Sequence, residues 1–90
     1  MTFEWDETKA ATNLAKHGVA FDEAKTIFGD PLYVDFYDPE HSDDEPRYLI
    51  IGTSQQGRLL IVSYTERAEA IRLISARELT PTEREAYEET

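Results

Sequence analysis

Side chains that could take part in catalysis or binding lie at both ends of the first amphipathic segment, residues 7–17, of this 90-residue chain. The only tryptophan, Trp5, precedes the stretch, and Lys16 and His17 end it, immediately before Gly18. Histidine is the residue type that most readily exchanges a proton near neutral pH, and a neighbouring lysine supplies positive charge. This short element is therefore the first candidate for acid–base chemistry.

Each of these residues also has a purely structural interpretation, which the sequence leaves open. His17 at a helix C-terminus can complement the helix dipole and bond the last carbonyls. Trp5 can fill the core between a strand and a helix, since indole is a large apolar group for a small domain. Asn13 lies on the apolar face of the helix, where we expect a buried amide that bonds a loop.

The charge distribution singles out one segment of the chain. The net charge is −10, which argues against a general nucleic-acid binder. Residues 31–46 carry six acids and no lysine or arginine, whereas residues 47–77 carry five arginines against two glutamates, a net charge of +3. A locally basic sheet on an acidic body can still attract a chain of phosphates. The five arginines are Arg47, Arg58, Arg67, Arg72 and Arg77.

Three helices are predicted from capping signals and apolar spacing. Asp6 as N-cap and Gly18 as C-cap bound a helix over 7–17. Phe21, Ala24, Ile27 and Phe28 give an apolar stripe over 21–29, but this helix has Ala20 at its start and so lacks a side-chain cap. Thr80, Pro81 and Glu83 form a capping box that predicts a last helix over 80–89.

Strands are predicted at 3–5, 32–37, 47–53, 58–65 and 70–77. Short connections favour antiparallel neighbours, so we expect an α+β fold: an antiparallel sheet with two N-terminal helices packed on one face and a C-terminal helix. Strict alternation in the last strand places Leu73, Ser75 and Arg77 on one face and Ile74 and Ala76 on the other. Arg67 is expected in the turn before that strand.

Residues 38–46 form a polar loop with two prolines, which we expect to be mobile and solvated. Its acids begin like a calcium-binding loop, but position six is Asp43 instead of glycine, and position twelve is Leu49 instead of glutamate. His41 is a lone loop histidine without a helical partner. We therefore expect no metal site and no cofactor.

The remaining composition describes one small domain spanning residues 1–90. Cysteine is absent, which fits a reducing compartment, although only weakly. The sequence contains no apolar run of about 18 residues and no basic-then-apolar start. We expect a cytoplasmic protein without a membrane span or a secretory signal.

Three blocks of the sequence resemble the BrnT family of bacterial toxin components: residues 3–21, Tyr64-Thr65-Glu66-Arg67 and Ile74-Ser75-Ala76-Arg77. BrnT proteins are similar to the RelE-like toxins, which implies a RelE-like fold and metal-independent RNA cleavage that inhibits translation. The resemblance also implies a BrnA-like antitoxin as partner and contact with operator DNA only through the antitoxin complex. A homodimer is left open.

The resemblance implies that Arg67 and Arg77, in the Tyr-Thr-x-Arg and Ile-Ser-Ala-Arg motifs, would stabilise the phosphate. By their residue types, His17 would transfer protons and Lys16 would supply charge. RNA contacts would come from Trp5, by base stacking, and from Arg47, Arg58, Tyr64 and Arg72.

The arginines keep structural alternatives as well. Arg77 can be an ion-pair partner of an early acid such as Glu4 or Asp6. Arg67 can be an ordinary surface residue. The other three arginines can be solvated strand residues.

A second hypothesis is a catalytically inactive toxin-fold protein that acts as a protein-interaction or regulatory module. It is motivated by the charge of −10 and by Glu45-Pro46-Arg47, where BrnT relatives commonly have consecutive arginines. On this hypothesis the basic sheet would bind an acidic or amphipathic protein segment.

Overall fold

The computed structural model describes residues 1–89, which form a five-stranded sheet with helices on it. The strands are β1 (Thr2–Glu4), β2 (Val34–Tyr37), β3 (Tyr48–Thr53), β4 (Leu59–Arg67) and β5 (Ala70–Glu78). The helices are α1 (Glu7–His17), α2 (Phe21–Ala24) and α3 (Pro81–Glu88), and 3₁₀ turns lie at Lys25–Gly29 and Pro39–His41. These elements confirm the predicted α+β class.

The sheet has the strand order β1-β5-β4-β3-β2 and is mixed. The pairs β2–β3, β3–β4 and β4–β5 are antiparallel. Strand β1 runs parallel to β5, with Phe3 opposite Ile71. The prediction of a wholly antiparallel sheet was therefore wrong. Most of the chain separates β1 from β5, so no short hairpin dictates their relative direction.

Helix α1 begins and ends at the predicted residues because both caps are made. The Asp6 carboxylate accepts hydrogen bonds from the backbone N–H groups of Thr8 and Lys9, and these bonds hold the pKa of Asp6 below its usual range. Gly18 adopts a φ of 70°, and its N–H donates to the carbonyl of Leu14. The left-handed conformation of Gly18 ends the helix.

The second helix was predicted over residues 21–29, but only the first part of this segment is α-helical. Ala20 caps α2 without a side-chain hydrogen bond, α2 spans only Phe21–Ala24, and the chain continues as the 3₁₀ turn Lys25–Gly29. The missing cap anticipated this weak start. The segment is still firmly packed, since Phe21, Ala24 and Ile27 are buried in the core.

A β-bulge in β5 changes which side chains share a face. Ser63 lies opposite Ser75 and Tyr64 lies opposite Leu73, so Ile74 is an extra residue in β5. As a result Leu73 and Ala76 both face the core, whereas Ser75 and Arg77 face the opposite side. The strict alternation predicted from the sequence, with Leu73 and Arg77 on one face, was wrong beyond Ile74.

The core lies between the helices and one face of the sheet. Its buried strand residues are Ile50, Leu60, Val62, Tyr64, Leu73 and Ala76. The other sheet face is left open near its centre and is partly covered by α3. The predicted capping box starts α3: Thr80 accepts from Glu83 N–H, and the Glu83 carboxylate accepts from Thr80 N–H. None of the helices within residues 1–89 has the length and apolar character needed to cross a membrane.

Candidate functional site

The open face of the sheet forms a groove with a volume of about 720 Å³. Its floor comes from alternate residues of four strands and is mostly apolar. The hydroxyls of Ser63 and Ser75, which are cross-strand partners, add polar groups to it. The apolar floor residues are Val34, Phe36, Leu49, Ile51, Ile61 and Ile74.

Two walls and one end enclose this floor. Glu83, Ala86 and Tyr87 of α3 line one wall, and the Tyr87 hydroxyl donates to the carbonyl of Leu32, just before β2. The loop between β2 and β3 lines the other wall with Asp38, His41 and Arg47. His17 and Arg77 lie at the β5 end.

The strand register shows that Arg47 and Arg77 lie at different levels along the sheet. Arg77 lies opposite Ile61, and Ile61 lies opposite Ile51, which is four residues after Arg47, the residue directly before β3. At about 3.4 Å per residue, the backbone at Arg47 is displaced about 14 Å along the strands from the level of Arg77.

Asn13 connects His17 to the β5 end of the groove. Beyond Arg72, β5 has no strand neighbour on the β1 side, and the Asn13 amide occupies this edge. Its Nδ2 donates to the carbonyls of Ala76 and Val19, each at 2.9 Å, and its Oδ1 accepts from Ala76 N–H at 3.0 Å. The expected buried structural amide is therefore present, and it fixes α1, which ends with His17, against the part of β5 that carries Arg77.

The Arg77 guanidinium is held by α3. Its Nη1 donates to Glu83 Oε1 at 2.7 Å, and its Nη2 donates to Glu83 Oε2 at 3.0 Å. Arg77, followed by the Thr80 N–H, lowers the pKa of Glu83 to about 2, while Glu83 raises the pKa of Arg77. This two-point contact has the geometry that a guanidinium also offers to a phosphate. The ion-pair alternative for Arg77 is thus correct in kind, but its partner is Glu83 instead of Glu4 or Asp6.

Arg47 and His41 supply the polar groups of the loop wall. Arg47 is half-buried and directly precedes β3. The His41 Nδ1 lies 2.8 Å from Asp38 Oδ2. Sequence reasoning dismissed His41 as a lone histidine, yet the signal was present: Asp38-Pro39-Glu40-His41 places an acid three residues before it, and a proline favours the turn that brings them together.

Arg58 lies outside the groove and holds the fold together. It donates from Nε to Glu23 Oε2 at 2.9 Å and from Nη2 to the carbonyl of Gly18 at 3.0 Å. Glu23 is buried and also accepts from the Ser54 hydroxyl. Arg58 lowers the pKa of Glu23, and Glu23 raises the pKa of Arg58. The Arg58 guanidinium is therefore engaged by Glu23 and the Gly18 carbonyl, away from the groove.

Two further arginines of the basic segment are also paired away from the groove. Arg72 Nη1 donates to Glu4 Oε2 at 2.7 Å and so ties β5 to β1. Arg67 is the last residue of β4 instead of a turn residue, and it contacts Glu45 through two hydrogen bonds of 3.2 and 3.3 Å. The Arg67 side chain remains half exposed.

The aromatic candidates for base stacking are packed into the fold. Trp5 packs edge-on against Phe21, with ring centroids 5.8 Å apart. Tyr64 is 5% exposed, and its ring stacks on Tyr48 at a centroid distance of 5.5 Å. Burial raises the pKa of Tyr64. The packing of Trp5 favours its structural alternative, and Tyr64 is likewise packed inside the fold.

Lys16 is exposed near the end of α1 and does not line the groove. Of the nine side chains predicted for the site, the groove therefore brings together His17, Arg47 and Arg77. Across residues 1–89, there is no group of three or more His, Cys, Asp or Glu side chains arranged to hold a metal ion.

Comparisons with known proteins agree on one family. Residues 5–83 match the family described as "Ribonuclease toxin, BrnT, of type II toxin-antitoxin system". The crystal structure of the Brucella abortus ribonuclease toxin BrnT is similar to this chain, with a TM-score of 0.66 and 28% sequence identity. The match covers 89% of this chain and 97% of that chain. No curated protein matches the chain in sequence.

Proposed function

Because the chain belongs to the BrnT family of ribonuclease toxins of type II toxin–antitoxin systems, we propose that it cleaves RNA in the groove without a metal ion. The observation that carries this proposal is the groove itself, which gathers His17, Arg77 and Arg47 around one open sheet face. A histidine can transfer protons and two arginines can stabilise phosphate charge, so these side chains can support RNA cleavage without a metal ion.

The proposed reaction is a transphosphorylation. A base takes the proton of the 2′-hydroxyl, the 2′-oxygen forms a bond to phosphorus, and the bond from phosphorus to the 5′-oxygen breaks as an acid protonates that oxygen. His17 serves as one proton-transfer group because histidine works in both directions near neutral pH. Arg77 stabilises the charge that develops on the phosphorane, since its planar fork matches two phosphate oxygens.

Glu83 sets a condition on this mechanism. Its carboxylate contacts Arg77 through two oxygens, where a phosphate would bind. RNA must therefore displace Glu83 or share the guanidinium with it. The apolar floor receives bases or riboses, and Arg47 on the opposite wall holds a neighbouring phosphate.

Six of the predicted site residues have smaller roles in this proposal: Lys16, Arg67, Arg58, Arg72, Trp5 and Tyr64. Arg67 is half exposed and Lys16 is exposed, so both remain able to reach an RNA that extends beyond the groove. Arg58 and Arg72 stabilise the fold through Glu23 and Glu4. Trp5 and Tyr64 stabilise it through aromatic packing.

The toxin is proposed to work in the cytoplasm with a BrnA-like antitoxin that neutralises it. Operator DNA would be contacted only through the antitoxin complex, because the chain itself carries a charge of −10. The open apolar groove is a suitable surface for the antitoxin, which would block the RNA site by occupying it.

The test is an RNA cleavage assay with purified protein and excess chelator, on total RNA and on translating ribosomes. Arg77→Met removes the guanidinium and keeps much of the apolar stem, while Arg84→Met, on the exposed part of α3, is the matched control. We expect cleavage by the wild type and the control and a loss of about 100-fold or more in Arg77→Met. Absence of cleavage on both substrates would refute the proposal.

The inactive interaction module remains the second candidate, and one observation favours it. Arg77 is already neutralised by Glu83, and the groove floor is mostly apolar, as a protein-binding surface would be. Salt dependence separates the two: RNA affinity that falls steeply with salt indicates phosphate contacts. Tight antitoxin binding with no RNA binding at low salt would favour the module.

A further inference from the structure

The groove contains a second histidine that faces it from the wall opposite Arg77. We propose that His41 is the second proton-transfer group of the nuclease, complementary to His17, and that Asp38 is its positioning residue. The inference rests on the ribonuclease function proposed above and goes beyond it by assigning the partner of His17. Both His41 and Asp38 line the groove together with His17 and Arg77.

The His41–Asp38 pair has an oriented geometry. Asp38 Oδ2 lies 2.8 Å from His41 Nδ1, and the Asp38 side chain is 13% exposed while that of His41 is 62% exposed. Nδ1–H therefore donates to a largely buried carboxylate, and Nε2 is left as the nitrogen that meets a ligand. A carboxylate in this position fixes the tautomer and the direction of an imidazole.

The loop that carries the pair is tied down by its own hydrogen bonds. The 3₁₀ turn Pro39–His41 starts directly after Asp38, and Asp38 N–H donates to the carbonyl of Arg47 at 2.8 Å. The Ser42 hydroxyl donates to the carbonyl of Asp38 at 2.5 Å and accepts from Arg47 N–H at 2.9 Å. These contacts place His41 and Arg47 on the same wall of the groove.

The chemistry requires two proton transfers on opposite sides of the phosphorus. One group removes the 2′-hydroxyl proton as the 2′-oxygen bonds to phosphorus, and the other gives a proton to the 5′-oxygen as its bond breaks. His17 lies at the β5 end and His41 lies on the loop wall of the same groove. On this proposal a phosphate bound between them meets one imidazole from each side. Arg77 and Arg47 neutralise its charge from the same two directions.

Other charged groups surround His41 and belong in any account of its pH behaviour. They are Glu40, Asp43, Asp44, Glu45 and Arg47 in the adjoining pocket, with His17 and Glu83 across the groove. Asp38 is distinguished from the other carboxylates by its direct bond to the ring. Glu40 neighbours His41 but lies outside the groove lining, which makes it the matched control.

The experiment compares wild type, His41→Ala, Asp38→Asn and Glu40→Gln in chelator, using the RNA that the wild type cleaves. For His41→Ala we expect kcat/KM to fall about 100-fold or more, one limb of the pH–rate profile to vanish, and added imidazole to restore part of the rate. Asp38→Asn should lower kcat more than it raises KM. Glu40→Gln should match the wild type.

The outcomes separate this inference from the function on which it rests. Cleavage by the wild type that stays within threefold in His41→Ala overturns the role of His41 and leaves the nuclease intact. A slower His41→Ala enzyme with an unchanged pH profile and no response to imidazole shows a structural role and also overturns it. A wild type that cleaves no RNA overturns the proposed function, and the role of His41 with it.

Discussion

Replacing Asn13 by alanine is the sharpest test of how the fold positions the groove. The side chain is 6% exposed and makes three hydrogen bonds, two to Ala76 and one to Val19. The Asn13→Ala change removes all three hydrogen bonds. It leaves the Ala76 N–H and the carbonyls of Ala76 and Val19 without the Asn13 side chain as partner. The change also disconnects α1 from the edge of β5, beside Arg77.

The size of the effect follows from the three bonds. At about 1 kcal/mol each, Asn13→Ala should lower the free energy of unfolding by about 3 kcal/mol. A domain of this length has a total of about 5–13 kcal/mol, so the variant should still fold. The expected fall in Tm is about 12–24 °C, because each kcal/mol corresponds to about 4–8 °C in small domains.

Urea unfolding followed by circular dichroism measures this change, with Thr12→Ala as the control on the exposed face of the same helix. We expect the control to stay within about 0.5 kcal/mol of the wild type. Asn13→Asp keeps the acceptor for Ala76 N–H but directs carboxylate oxygen at two carbonyls, so it should be at least as unstable as Asn13→Ala at pH 7. A loss below 1 kcal/mol in Asn13→Ala would refute the reasoning.

Three further predictions concern charge and register. The pKa of Glu83 is lowered from 4.5 to about 2, so its contact with Arg77 stabilises the fold fully above about pH 4.5, and this stabilisation is lost as the pH falls towards 2. Acid titration followed by circular dichroism should show this loss in the wild type and not in Arg77→Met. Glu23→Gln should cost about 2 kcal/mol in urea unfolding because it removes the buried charge that Arg58 binds; an unchanged midpoint would contradict this. Deleting Ile74 removes the bulge and makes β5 regular, which keeps Ala76 facing the core and Arg77 facing the groove, so cooperative thermal unfolding should persist; its disappearance would show that β5 cannot pack without the bulge.

Local signals in the sequence were enough for most elements. Asp6 and Gly18 determined both ends of α1, and Thr80 with Glu83 determined the start of α3, because a cap depends only on residues within one turn. Ala20 correctly indicated a weakly started α2. Strand positions were predictable from β-branched and aromatic content to within two residues, although their partners were not.

The sequence analysis predicted His17, from its residue type, and Arg77, from the family resemblance, as site residues, and both line the groove. The sequence could not show that Arg58 forms an ion pair with Glu23 and that Arg72 forms one with Glu4. The sequence around an arginine does not indicate which distant acid will lie next to it in the fold. Those acids lie 35 and 68 residues away, beyond the range of any periodicity.

The sequence by itself determined the local elements, the segment rich in arginine and the family. Only the tertiary structure decided that β1 runs parallel to β5, that an extra residue at Ile74 turns Arg77 away from the core, and that His41 faces the same groove as His17. The physical reason is range: caps and alternation depend on neighbours along the chain. Sheet order, bulges and ion-pair partners depend on contacts that form only when distant segments pack together.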